Sequence, residues 1–268
     1  VELLTHLALR SSRDGGEVRR ARSATDPRWS LDPASAGVGT IRCVVGLGDG
    51  DEPWWAVGGT NGFAWVRHDG DDVTIERFEI ATVTAIAAHP RGARVAVGDL
   101  GGSIHLLTPP ADTTPDTTND AASAGHPDGA PSNVGRNELT GYPDRVALLA
   151  WSTDGRHLFA VADDDLTAWP ADAHGRIDAP EPLQFVGHDE AITAIAVHPS
   201  RPVIATLDAI GSIVLWTPTQ DSIPIASLHR PIGSEAIDAA WRDDGSTLTV
   251  STADGRVHDV AVSFGLIA

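Results

Sequence analysis

The 268-residue chain has no lysine and no methionine, so its 19 basic residues are all arginine. Without Lys there is neither a phosphate-loop lysine nor a Schiff-base nucleophile. One cysteine, Cys43, excludes an intrachain disulfide and any cysteine-rich zinc site. Its setting, TIRCVVG, predicts a buried apolar filler. No HExxH, CxxC or GxSxG motif occurs. The chain also lacks a run of 18 apolar residues and a charged-then-apolar leader, which predicts neither a membrane span nor a signal peptide. Aromatics make up only 5%, with eight Trp against five Phe and one Tyr. Positive charge is scarce as well. A formal charge of −18 argues against nucleic acid or an anionic membrane as ligand, because neutralising phosphates takes clustered Arg or Lys. With no Met at its start, a processed chain or a piece of a longer one is expected. Absent Lys beside plentiful Ala, Gly, Asp and Arg points to a GC-rich bacterial genome, and the lone cysteine to a reducing cytoplasm.

The chain does contain a repeat. GHDEAITAIAVHPSRPVIATLDAIGSIVLWT, from Gly187 to Thr217, opens on Gly-His and an acidic loop. Ile192, Ala194 and Ala196 then alternate as in a half-buried strand. His198-Pro199-Ser200-Arg201 is a turn, because Pro fixes φ and removes a ladder donor. Two further apolar runs, split by Gly211, complete three strands that cannot bury their faces alone. The same order recurs in TVTAIAAHPRGARVAVGDLGGSIHLLT from Thr82 and RVALLAWSTDGRHLFAVADDDLTAWP from Arg145. It recurs again in AIDAAWRDDGSTLTVSTADGRVHDVAV from Ala236 and, more loosely, in TIRCVVGLGDGDEPWWAVGGTNGFAWV from Thr40. The first turn residue of each copy is Leu47, His89, Ser152, His198 and Arg242, at spacings of 42, 63, 46 and 44.

A period in the low forties with this grammar resembles the WD-repeat β-propeller family, over residues 40 to 262. The resemblance implies an all-β fold of five four-stranded blades across residues 39–268, preceded by an N-terminal half blade in residues 1–38. In that family a His, a Ser or Thr, a Trp and an Asp bond to one another inside a blade. By resemblance His188, Thr206 and Trp216 fill three of these places. Ile210 stands before Gly211, so the Asp is missing unless Asp208 substitutes. The third repeat keeps Trp169 and has Tyr142 for the His.

The N-terminal runs LLTHLALR and EVRRARS are read as strands joined by SSRDGG, whose Asp-Gly favours a hairpin. They gather Arg10, Arg13, Arg19, Arg20 and Arg22, the one basic patch, read as a solvated face. Two endings are open. Either Glu17–Ser23 pairs with Arg256–Val262 and closes a five-bladed ring, or the blades form an arc completed by a partner. Residues 109–134, PPADTTPDTTNDAASAGHPDGAPSNV, are too poor in apolar residues to offset their ordering entropy and are expected to be a disordered insertion. Trp54 and Trp55, as strand neighbours, should face opposite ways.

Asp163, Asp164 and Asp165 replace the Gly-containing turn between two strands. Strand order puts them on one face with Asp144, Asp189 and Glu190. These six are the candidate partner-binding residues; the plain alternative is an acidic rim. No catalytic, cofactor or metal site is expected. The resemblance implies a non-catalytic protein-interaction scaffold or sensor, part of a larger protein or complex, since similar bacterial propellers are attached to effector domains. A hydrolase or lyase with a metal in the central channel is a second reading, yet the innermost segments offer only Arg42, Arg145 and Asp238. A lectin-like propeller is a third, and it requires repeated polar and aromatic pockets.

Overall fold

The computed structural model describes residues 36–47, 54–69, 72–91, 94–110, 137–219, 224–229 and 231–264, and the backbone of strands between residues 11 and 31. At the N-terminus β1 (Ser11–Ser12) pairs with β2 (Gly15–Gly16), and β3 (Val18–Ala21) with β4 (Pro27–Leu31). The first blade is β5 (Ile41–Leu47), β6 (Trp54–Gly59), β7 (Gly62–Asp69) and β8 (Asp72–Phe78). The second is β9 (Val83–Ala88), β10 (Val95–Asp99), β11 (Ile104–Leu107) and β12 (Asn137–Leu139). The third is β13 (Leu148–Trp151), β14 (His157–Ala162), β15 (Asp165–Pro170) and β16 (Leu183–Phe185). The fourth is β17 (Ile192–Val197), β18 (Ile204–Asp208), β19 (Ile213–Trp216) and β20 (Pro224–Leu228). The last is β21 (Ala236–Trp241), β22 (Thr247–Thr252) and β23 (Val257–Ala261).

Every blade is an antiparallel meander. The innermost strands β5, β9, β13, β17 and β21 pack side by side in chain order.

The fifth sheet has three strands among the described residues. Of the two endings, the closing pair is not seen among the described residues: β3 pairs forward with β4, and the neighbour of β23 is β22. SSRDGG makes only the two-residue pairing of β1 with β2, and β3 pairs with β4 across residues 22–26, which lie outside the described residues. No packing comparable to that between consecutive blades joins β21 to β5. Residues 108–136 link β11 to β12, as the insertion requires; apart from Pro109 and Pro110 the predicted disordered segment lies outside the described residues.

Blades adhere through apolar faces. Ala56, Phe63 and Trp65 of the first blade meet Val83, Val95 and Val97 of the second. Ile104 and Leu106 meet Trp151, Leu158 and Trp169; Phe159, Val161 and Leu166 meet Ile204, Val214 and Trp216. Ala205, Leu207, Ile213 and Leu215 meet Leu248 and Val250. Each fully buried large side chain contributes about 1.5–3 kcal/mol. Trp54 faces the second blade and Trp55 the opposite side, as their adjacency demands. Cys43 is half-buried, its Sγ donating to the Thr84 carbonyl at 3.4 Å, and burial pushes its thiol up to about 11 against the opposing charge of Arg42.

A second, polar device fastens two of the junctions. The His89 ring donates from Nε2 to the Gly155 carbonyl (3.0 Å), and Trp151 Nε1 donates to the Ala87 carbonyl (3.2 Å). The rings of His89 and Trp151 lie 4.8 Å apart. His198, Gly245, Trp241 and Ala196 repeat the arrangement at 3.2, 3.1 and 4.8 Å. A side chain at Gly155 or Gly245 would collide with the imidazole, and both glycines have positive φ. Each Nδ1 accepts a backbone N–H, from Arg91 in one case and from Ser200 and Arg201 in the other, so both rings are neutral.

Burial is the main cause lowering both histidine pKa values, the glycine bond opposes it, and neighbouring arginines lower them further. The folded protein therefore binds fewer protons than the unfolded chain once pH falls below the ordinary histidine value of about 6.5. The clasps stabilise above that value and lose their contribution below it. The melting temperature should fall between about pH 7.5 and about pH 5. A His89→Gln/His198→Gln variant should melt lower at the upper pH and change less across the range. An undiminished pH dependence in the variant would assign the effect elsewhere.

Candidate interaction face

The six acidic residues lie in loops at one end of the blades. Asp144 precedes β13, Asp163 and Asp164 form the two-residue turn from β14 to β15, and Asp165 is the first residue of β15. Asp189 and Glu190 precede β17, and all six are exposed. Bonds between blades hold this rim together. Val146 N donates to the Asp99 carbonyl (3.2 Å), Ile192 N to the Asp163 carbonyl (2.8 Å), and Thr82 Oγ1 to the Thr60 carbonyl (2.8 Å). Asp163 adopts φ 57°, a left-handed conformation that Asp tolerates better than most residues.

Among the described residues, Asp163, Asp164, Asp165, Asp189 and Glu190 have no Arg or His within ion-pair distance. Partial burial first, and then the charges of Asp164 and Asp163, raise the Asp165 carboxyl above its ordinary value. Beside it opens a pocket of about 220 Å³, lined by Asp165, Glu181, Gln184, Pro182, Tyr142 and Trp169 among others, with no cationic residue in its wall. Two carboxylates and two aromatic side chains in one lining suit a cationic side chain. Glu181 was not singled out in the sequence, although Pro180-Glu181-Pro182 holds an acidic residue in a stiff turn.

The blade-core residues come together as bonded clusters. In the fourth blade His188 Nε2 meets Thr206 Oγ1 at 2.7 Å, and Trp216 Nε1 donates to the same oxygen at 2.8 Å. His188 Nδ1 meets Asp208 Oδ2 at 3.0 Å. Asp208 thus takes the place that Ile210 leaves empty. Its Oδ1 accepts N–H bonds from Ile210 and Ser212, so the carboxylate sits two residues earlier and still folds the turn. Burial opposes ionisation of Asp208, but the bonds from His188 and these amides hold its pKa below the ordinary value.

The third blade rebuilds the cluster from other strands: Tyr142 Oη meets Thr167 Oγ1 at 2.6 Å and accepts from Trp169 Nε1 at 2.8 Å. In the second, His105 Nε2 meets Asp99 Oδ2 at 2.9 Å. In the fifth, Thr252 occupies the carboxylate position, and the buried Nε2 of His258 has no hydrogen-bond partner among the described residues. Arg42, Arg145 and Asp238 are exposed on or near innermost strands, and no three His, Cys, Asp or Glu among the described residues cluster with metal-ligating geometry.

No family model matches the chain. The structure superposes on that of Chaetomium thermophilum Sqt1 with TM-score 0.70 and 16% identity, covering 94% of this chain and 64% of that one. It also matches Sqt1 bound to the N-terminus of the ribosomal protein L10, with TM-score 0.68, 16% identity, and 92% and 66% coverage. In sequence it is 26% identical to mouse Coronin-7 over 118 residues, 44% of this chain and 12% of that protein. It is 25% identical to Protein HIR1 of Cryptococcus neoformans over 142 residues, 48% and 15% respectively. The chain therefore spans under a sixth of these curated relatives and about two thirds of the solved chains. Its fold is that of a WD-repeat-like β-propeller.

Thr206→Val keeps the shape of the fourth-blade cluster but leaves His188 Nε2 and Trp216 Nε1 buried without their hydroxyl partner. A cost of about 1–3 kcal/mol for each stranded group is expected in denaturant unfolding. A change below about 0.5 kcal/mol would show that the cluster contributes nothing to stability.

Proposed function

We propose that the chain is a non-catalytic protein-interaction module whose acidic rim docks a basic segment of a partner protein. The observation that carries this reading is the pocket beside Asp165: two carboxylates, two aromatic side chains and no cation, bordered by like charges that raise the Asp165 pKa. A guanidinium or ammonium inserted there would relieve that repulsion. The rim around it, from Asp144 to Asp163, Asp164, Asp189 and Glu190, would steer such a partner over tens of ångströms at low salt. A solved propeller of the same fold engages the N-terminus of a ribosomal protein, which supports a chain end as the kind of segment bound. Within this reading the module works as part of a larger protein or complex, in the cytoplasm of a bacterium with a GC-rich genome. A second chain that completes the ring would have to meet the last blade.

Fluorescence anisotropy with an extended Arg- and Lys-bearing peptide tests the proposal. Charge reversal of Asp163, Asp164 and Asp165 should weaken binding by roughly tenfold or more, about 1.4 kcal/mol, and flatten its salt dependence. Reversal of Arg19, Arg20 and Arg22 should leave it unchanged. The opposite pattern would move the interface to the N-terminal strands, and turnover of an ester, phosphoester or glycoside would contradict the non-catalytic assignment.

A further inference from the structure

The junction between the third and fourth blades lacks the histidine clasp. Where the neighbouring junctions have His89 with Trp151 and His198 with Trp241, this one has Ser152 with Val197. Thr153 Oγ1 donating to the His198 carbonyl at 2.8 Å is the bond that remains. The two rings present at the junctions on either side are missing here, as they also are at the first junction, where Leu47 and Ala88 stand, and a cavity of about 310 Å³ lies at this place.

Its apolar wall is Phe159, Val197 and Val203, and its polar side includes Ser152, Asp154 and the arginines Arg91 and Arg201. These arginines come from the corresponding first turns of the second and fourth blades, each donating its backbone N–H to the clasp histidine of its own turn. Asp154 is already engaged, accepting from Ser152 Oγ at 2.6 Å and Arg156 N at 3.0 Å. The Ser152 hydroxyl in turn accepts from His157 N at 2.9 Å. Arg201 stacks over Phe264 at 4.7 Å. Neither Arg91 nor Arg201 has an ion-pair partner among the described residues, in a chain whose net charge is −18. The charged residues lining the cavity, Arg91, Arg201 and Asp154, therefore sum to one net positive charge beside an apolar wall.

We infer that this cavity binds a small organic anion, a carboxylate or phosphate on a compact apolar body. The guanidinium fork matches both anionic heads, and the volume falls in the range of small-molecule pockets. The site lies at the turns between first and second strands, the end of the blades opposite the acidic rim, so it is separate from the proposed protein-docking face.

Heteronuclear NMR titration of the full chain with phenylacetate and phenylphosphate, and with neutral phenylacetamide as control, tests the inference. Saturable shifts at the amides of residues 152–159 and 197–203 are expected for both anions, with the amide weaker by roughly tenfold or more. Arg91→Gln/Arg201→Gln should reduce the anions to the level of the amide. Ser152→His/Val197→Trp/Arg201→Gly rebuilds the clasp together with the glycine that leaves room for the imidazole, and should abolish binding of all three ligands. Equal binding of amide and acid, shifts that map to other loops, or no saturable shift at millimolar anion would overturn the site. The arginine variant alters exposed side chains, so the test stands even if the clasp variant fails to fold.

Discussion

A blade of this chain has two apolar faces and cannot bury either by itself, so each one depends on the blade beside it. The arrangement follows from that constraint. Phe159 and Val161 point one way along β14 while Leu158 and Ala160 point the other, serving two different interfaces. Stability in such a series is a sum of neighbour terms. The last blade departs from the rule: its outward side carries Thr247, Thr249, Ser251 and Asp259 where the fourth blade has Val203, Ala205, Leu207 and Leu215. Thr249 Oγ1 and the Arg242 guanidinium both donate to Asp259 there, each at 2.7 Å. That surface is made for water or a polar partner, not for another apolar blade.

The repeat order, the turn residues and the strand positions were readable in the sequence because Gly and Pro punctuate it and apolar residues alternate between them. Less legible were the places whose positions the backbone does not keep fixed. The position directly before Gly211 holds Ile210, and the alternative carboxylate, Asp208, fills the place from opposite Ile192. The third blade moves its hydroxyl from the second strand to Thr167 on the third, a displacement that spacing cannot reveal. The pairing of β3 with β4 was missed because Asp14-Gly15 is the stronger local hairpin signal. The pocket at Asp165 was half visible: the triple Asp stood out, whereas Glu181 and Tyr142 reach it only through the fold.

The two ends of the blades carry opposite chemistry. One presents carboxylates that have no ion-pair partner among the described residues, and a pocket without cations; the other presents guanidinium groups that likewise have none among the described residues, around a gap left by two small residues. Both features arise from local departures from the repeat, Asp163–Asp165 in one case and Ser152 with Val197 in the other. The regular positions hold the fold, and the irregular ones supply the surfaces.

Native-state hydrogen exchange tests most directly whether neighbour packing governs this structure. Amides of β21, β22 and β23, in a blade packed on one side among the described residues, should exchange distinctly faster than those of β17, β18 and β19, in a blade packed on both. Equal protection of the two sets would contradict the account, because it would mean that the last blade does not depend on its single neighbour.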